Sequence, residues 1–89
     1  MLLFIKNRDV PVNQYVIPLD RVFLIWVSGS SVNVNFDGGE YIEVEGTFQK
    51  KLEIVSVKFS SPENANKAMR QFYKAVNADA KAFFLGADL

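Results

Sequence analysis

The chain has no cysteine and no histidine. Without Cys it forms no disulfide and offers no thiolate, which excludes stapled secreted scaffolds and thiol nucleophiles. Without His it has no imidazole base, so a Ser-His-Asp triad is absent and a zinc site would need an all-carboxylate shell. Net charge is also missing: ten bases balance ten acids, so no global field draws the chain to nucleic acid or to an anionic membrane. The longest strictly apolar run is "VFLIWV", residues 22–27, far short of the about 20 residues of a membrane span. No basic segment precedes "LLFI", so the start does not read as a signal peptide. A soluble, intracellular (cytoplasmic) protein is the expectation. No glycine-rich phosphate loop is present, because "DGGE" lacks the spacing and the lysine of a P-loop. Neither composition nor spacing implies a cofactor, a resident metal or a small-molecule ligand.

What is there belongs to one small globular domain spanning residues 1–89, too short for a second core. Aromatic residues make up 13%, eight of them Phe, which argues against disorder. Charge is uneven along the chain. Residues 1–45 hold three bases against six acids, and residues 46–89 hold seven bases against four acids. The two halves neutralise each other within one domain, or favour self-association.

The hydrophobic pattern predicts strands first and a helix late. "LLFIKN" (2–7) reads as a strand. Residues 8–14 read as a turn or edge segment, because Pro11 cannot donate to a ladder. "YVIPLD" (15–20) is extended, with Pro18 arguing against a central position. "RVFLIWV" (21–27) is β-branched and aromatic, bounded by Asp20 and "SGSS". "SVNVNF" (31–36) alternates, placing Val32, Val34 and Phe36 on one face. "DGG" (37–39) reads as a hairpin turn, after which "EYIEVEG" (40–46) pairs back. "TFQKK" (47–51) is a connection or the widened end of a hairpin, and "LEIVSVKF" (52–59) alternates again. Ser61 is a good N-cap, Pro62 suits the first helical position, and Glu63 complements the helix dipole. Ala65, Ala68, Met69, Phe72 and Val76 then fall on one helical face. Residues 81–85 fit a short closing strand. The predicted architecture is α+β: an antiparallel β-meander of four to six strands with one C-terminal helix across one face, and a closing strand after it.

One helix covers one face of such a sheet. "LLFI", "VFLIWV" and "AFFL" are apolar on both faces, so they need cover on both sides. Residues 8–20 folded back over the second face would supply it within the chain. A second copy is the other source, since large exposed apolar patches mark contact sites. The leading expectation is therefore a non-enzymatic interaction module that forms a homo-oligomer, a dimer being the commonest closed form. Its candidate contact residues are Leu3, Ile5, Phe23, Ile25, Trp26, Phe83 and Leu85.

The second expectation is a nucleic-acid-binding accessory protein. Lys67, Arg70 and Lys74 fall within about 60° of one another on a helical wheel, and Phe48 stands beside Lys50 and Lys51, an aromatic and basic mix that stacks bases and holds phosphates. Zero net charge weighs against it, and Glu63, four residues before Lys67, predicts an ordinary helix-surface ion pair. The lowest-ranked expectation is a small enzyme using Glu43, Glu45 and Tyr41, with the two carboxylates two apart on one strand face as acid and base. The plainer reading of that trio is a solvated strand face.

"IPLDRVFLI", the hairpin, and "VKFSSPENANKAMRQFYKAVN" together resemble small uncharacterised proteins of marine cyanophages, over about the middle two-thirds of the chain. The "VxFxSxExAxxA" grammar is shared by many α+β domains. The resemblance implies a viral origin and no known activity. A meander capped by a C-terminal helix also looks like a pleckstrin-homology-type domain, but those have seven strands and this chain shows too few.

Overall fold

The computed structural model describes residues 1–6 and 15–86. The segment 8–14, expected as a turn or edge, lies outside them. Six strands and one helix follow in order: β1 (Leu2–Ile5), β2 (Tyr15–Pro18), β3 (Val22–Ser28), β4 (Ser31–Val44), β5 (Thr47–Lys58), α1 (Pro62–Asn77) and β6 (Ala82–Leu85). A single 3-10 turn at Leu19–Arg21 joins β2 to β3. The class is α+β, with one late helix and a closing strand, as the pattern predicts.

The strands divide into two sheets, in the orders β2-β1-β6 and β3-β4-β5. The small sheet is mixed: β1 pairs antiparallel with β2 and parallel with β6, so that Leu3 stands between Ile17 and Phe83. Pro18 ends β2 at a sheet edge, where a missing N–H costs little. The large sheet is an antiparallel meander. Both sheets turn one face onto a common core. Leu3, Ile5, Ile17 and Leu85 come from the small sheet, and Val32, Val34, Phe36, Val55 and Val57 from the large one. α1, packed against β3, β4 and β6, closes the core with Ala65, Ala68, Met69 and Phe72. Every alternating position predicted to point inward on "SVNVNF" does so, because a period of two on a half-buried strand leaves one face for the core.

The turn chemistry departs from expectation at one place. Residues 37–39 are not a hairpin turn. They sit inside β4 as a bulge, where Asp37 pairs with Leu52 and the next pair is Tyr41 with Lys50. Four steps along β4 thus oppose two along β5. The reversal comes at Glu45 and Gly46, whose φ values of 51° and 78° are the two positive angles of a type I′ turn, the form that matches strand twist. "DGG" and "EG" both carry turn residues, and the pairing of "TFQKK" with "EYIEV" decides between them. The result is one long hairpin whose distal part, residues 41–50, is exposed on both faces.

The helix begins as predicted. The Ser61 hydroxyl accepts from the Asn64 backbone N–H at 3.1 Å, satisfying one of the orphan donors of the first turn. Ser61→Ala is expected to cost about 1 kcal/mol, read as a fall of about 4–8 °C in thermal midpoint for a domain of this size.

Candidate functional site

Cross-strand pairing assembles the outer face of the large sheet. Leu24, Asn35 and Ile54 form one row, and Trp26, Asn33 and Ser56 the next. Leu52 extends the β5 side beside Asp37. Leu24 is 61%, Ile54 64%, Leu52 44% and Trp26 38% exposed. Two apolar flanks therefore border a polar centre. The Ser56 hydroxyl donates to Asn33 Oδ1, while Asn35 Oδ1 is enclosed with no hydrogen-bond partner among the described residues. An enclosed acceptor left unpaired costs about 1–3 kcal/mol. No described residue covers the face.

The small sheet has an apolar outer face of its own. Leu2, Val16 and Phe84 are exposed there, and Phe4 stacks on Phe84 with ring centroids 4.7 Å apart. The expectation that "LLFI", "VFLIWV" and "AFFL" are apolar on both sides holds, and the outer side of each is open among the described residues. Of the segment 8–20 expected to fold back as cover, residues 15–18 extend the small sheet as β2, and residues 8–14 lie outside the described residues.

The residues expected at an association surface separate into two groups. Leu3, Ile5 and Leu85 are fully buried in the chain's own core, and Ile25 and Phe83 pack against it. Phe83 meets Phe72 edge to face at 5.6 Å. Those five are interior, because the inner positions of β1, β3 and β6 face α1 and the facing sheet. Phe23 and Trp26 alone remain exposed. Sequence reasoning missed Leu24, Leu52 and Ile54. The signal was present in "LEIVSV": Leu52 and Ile54 are apolar at the alternate positions to Val55 and Val57, which a one-faced strand would fill with polar residues.

The basic residues are spread over separate elements. Phe48 and Lys50 share one face of the distal hairpin, and Lys51 points to the other. Lys50 Nζ lies 3.2 Å from Asp37 Oδ2, and Lys51 Nζ lies 3.5 Å from Glu40 Oε2. The Gly39 backbone N–H donates to Asp37 Oδ1 at 2.8 Å. That bond first, and Lys50 second, hold the Asp37 carboxyl below its ordinary range. Lys67, Arg70 and Lys74 line the exposed side of α1. The pair expected between Glu63 and Lys67 is not closed, since the ion pairs among the described residues are those at Lys50 and Lys51.

Tyr41, Glu43 and Glu45 do not assemble a site. Glu45 occupies the turn, so the strand alternation that would bring its carboxylate beside that of Glu43 ends before it. All three are exposed. An open depression lined by Met1, Leu2, Pro18, Leu19, Asp20 and Lys81 carries one acid and one lysine. Among the described residues no three acidic side chains cluster as metal ligands, and no helix is long and apolar enough to cross a membrane. Comparison with models of known protein families, with curated proteins and with solved structures finds no match.

Proposed function

We propose that the chain is a non-enzymatic interaction module that associates with copies of itself through the outer face of the β3-β4-β5 sheet. The observation that supports this is the pair of apolar flanks, Leu24 and Trp26 on β3 and Leu52 and Ile54 on β5, open among the described residues, apolar area that water disfavours and that a partner would bury. A second copy fits because the face is self-complementary: an apolar flank on β3 and another on β5 border the polar centre of Asn33 and Asn35, so a twofold rotation sets flank against flank. Zero net charge on the chain adds no repulsion between copies.

Sedimentation velocity at several concentrations tests the proposal. The chain is expected to self-associate at high micromolar concentration, and Trp26→Asp to weaken the face contact by about thirty-fold or more, the scale of a lost aromatic anchor. A chain that stays monomeric throughout refutes it.

Nucleic-acid binding is the second reading, favoured by the open line of Lys67, Arg70 and Lys74. Against it, Lys50 and Lys51 are already engaged by carboxylates. It requires oligonucleotide binding that falls steeply with salt.

A further inference from the structure

Among the described residues, four strands edge the two sheets. β2 and β6 are four residues each, and β2 ends in Pro18. β3 carries a register shift between Val22 and Leu24. Shortness, proline and bulges are the ordinary protections of a sheet edge. β5 is neither short nor interrupted by proline, and the bulge in its pairing lies on β4, opposite residues 50–52. It runs 12 residues without Pro or Gly, and its outer side pairs with no described strand. Lysines also guard edges, and β5 carries three, Lys50, Lys51 and Lys58. Lys50 and Lys51 lean toward β4 in pairs with Asp37 and Glu40. An exposed pair such as Lys51 with Glu40 is worth at most about 1 kcal/mol, so Lys51 can exchange Glu40 for a carboxylate across the edge.

We propose that β5 pairs antiparallel with β5 of a second copy, about a twofold axis at Leu52, to make one continuous six-stranded sheet. This rests on the self-association reading only in that the partner is another copy. The contact itself is an edge and not the face, so the two contacts join different pairs of copies, and a chain that makes both assembles beyond the dimer.

The register follows from parity and charge. A twofold axis perpendicular to the sheet keeps each face on its own side, so directly opposed residues are both even-numbered or both odd-numbered. An axis at Lys51 or at Glu53 sets that charge against itself, and an axis at Ile54 sets Lys50 against Lys58. An axis at Leu52 sets Lys51 against Glu53 of the second copy, twice by symmetry. Leu52 then meets Leu52 on the outer face, Ile54 lies along the aliphatic stem of Lys50, and Phe48 faces Ser56. Opposite charges directly across an antiparallel pair stabilise it, and like charges do the reverse. The two outer faces become one, with Leu24, Trp26, Leu52 and Ile54 contributed by each copy.

The natural absence of cysteine makes the test clean. Leu52→Cys provides a single thiol whose β-carbon lies about 5 Å from its mate across a directly opposed pair, within disulfide reach after small adjustment. Ile54→Cys places the two thiols four residues apart along the strands, about 13 Å, beyond reach. Both positions are exposed, so the fold tolerates either change, and a far-ultraviolet spectrum checks it. Mild oxidation is expected to convert the L52C chain to a covalent dimer and to leave the I54C chain uncrosslinked. Lys51→Glu and Glu53→Lys are each expected to weaken the dimer by about ten-fold, and the double reversal to restore it. If the unaltered chain forms a dimer but L52C does not crosslink, or the double reversal does not rescue, the edge contact is overturned while the face reading stands. A chain that is monomeric at high micromolar concentration and never crosslinks overturns both.

Discussion

Gly86→Ala is expected to lower the thermal midpoint by about 15 °C or more. Gly86 follows β6 with φ at 89°, a conformation that a β-carbon makes costly. Space adds to the cost. A β-carbon there would lie 2.2 Å from the Lys6 carbonyl oxygen and 2.6 Å from Val57 Cγ1. The first neighbour is backbone at the end of the central strand of the small sheet, where the Lys6 N–H donates to the Leu85 carbonyl at 3.1 Å. The second is a fully buried core side chain. Neither can retreat without opening the junction between the sheets. Backbone strain of about 1–2 kcal/mol and overpacking of about 1–3 kcal/mol together remove a large fraction of the stability of a small domain. Differential scanning calorimetry reads the shift, and a fall below about 5 °C would show that the junction yields more easily than its geometry indicates.

Phe72→Ala is expected to cost about 3–5 kcal/mol. Phe72 is 4% exposed on the inner side of α1 and meets Phe83 edge to face. It is thus the aromatic through which the helix grips the small sheet. Truncation removes the transfer energy of the ring, leaves a cavity that α1 cannot collapse into, and forfeits the aromatic pair. Urea unfolding should show a lower midpoint with an unchanged slope. The neighbouring Tyr73, exposed on the same helix, is the control: Tyr73→Ala should change stability by no more than about 0.5 kcal/mol.

The helix was legible to within a residue, because cap, first-turn proline and apolar spacing all point the same way. The inward sets of β4 and β5 were legible because alternation carries its own answer. The division into two sheets was not, since nothing local in "LLFI" or "AFFL" says which strands they join. The parallel pairing of β1 with β6 is a long-range fact that periodicity does not encode. The hairpin turn was misplaced for a related reason: two glycine-bearing segments compete, and pairing further along the strands selects one. At the candidate surface, Trp26 was found by composition. Leu3, Ile5 and Leu85 were swept in with it, because an apolar strand buried on one side and open on the other looks the same from either side until its neighbours are known.

Pairing Leu2 with Ala82 also orders events in time. The long β4–β5 hairpin joins neighbours in sequence and can close within microseconds. β1 has only β2 beside it until almost the whole described chain has been gathered, and that closure pays a large loop entropy before any contact rewards it. Residues far apart in sequence slow folding. During this wait Leu3 and Ile5, sealed in the finished core, stand open to solvent, so the interval before β6 docks is when the nascent molecule is most exposed to misassociation. Quality control in the cell would act on this molecule at the joining of its outermost strands.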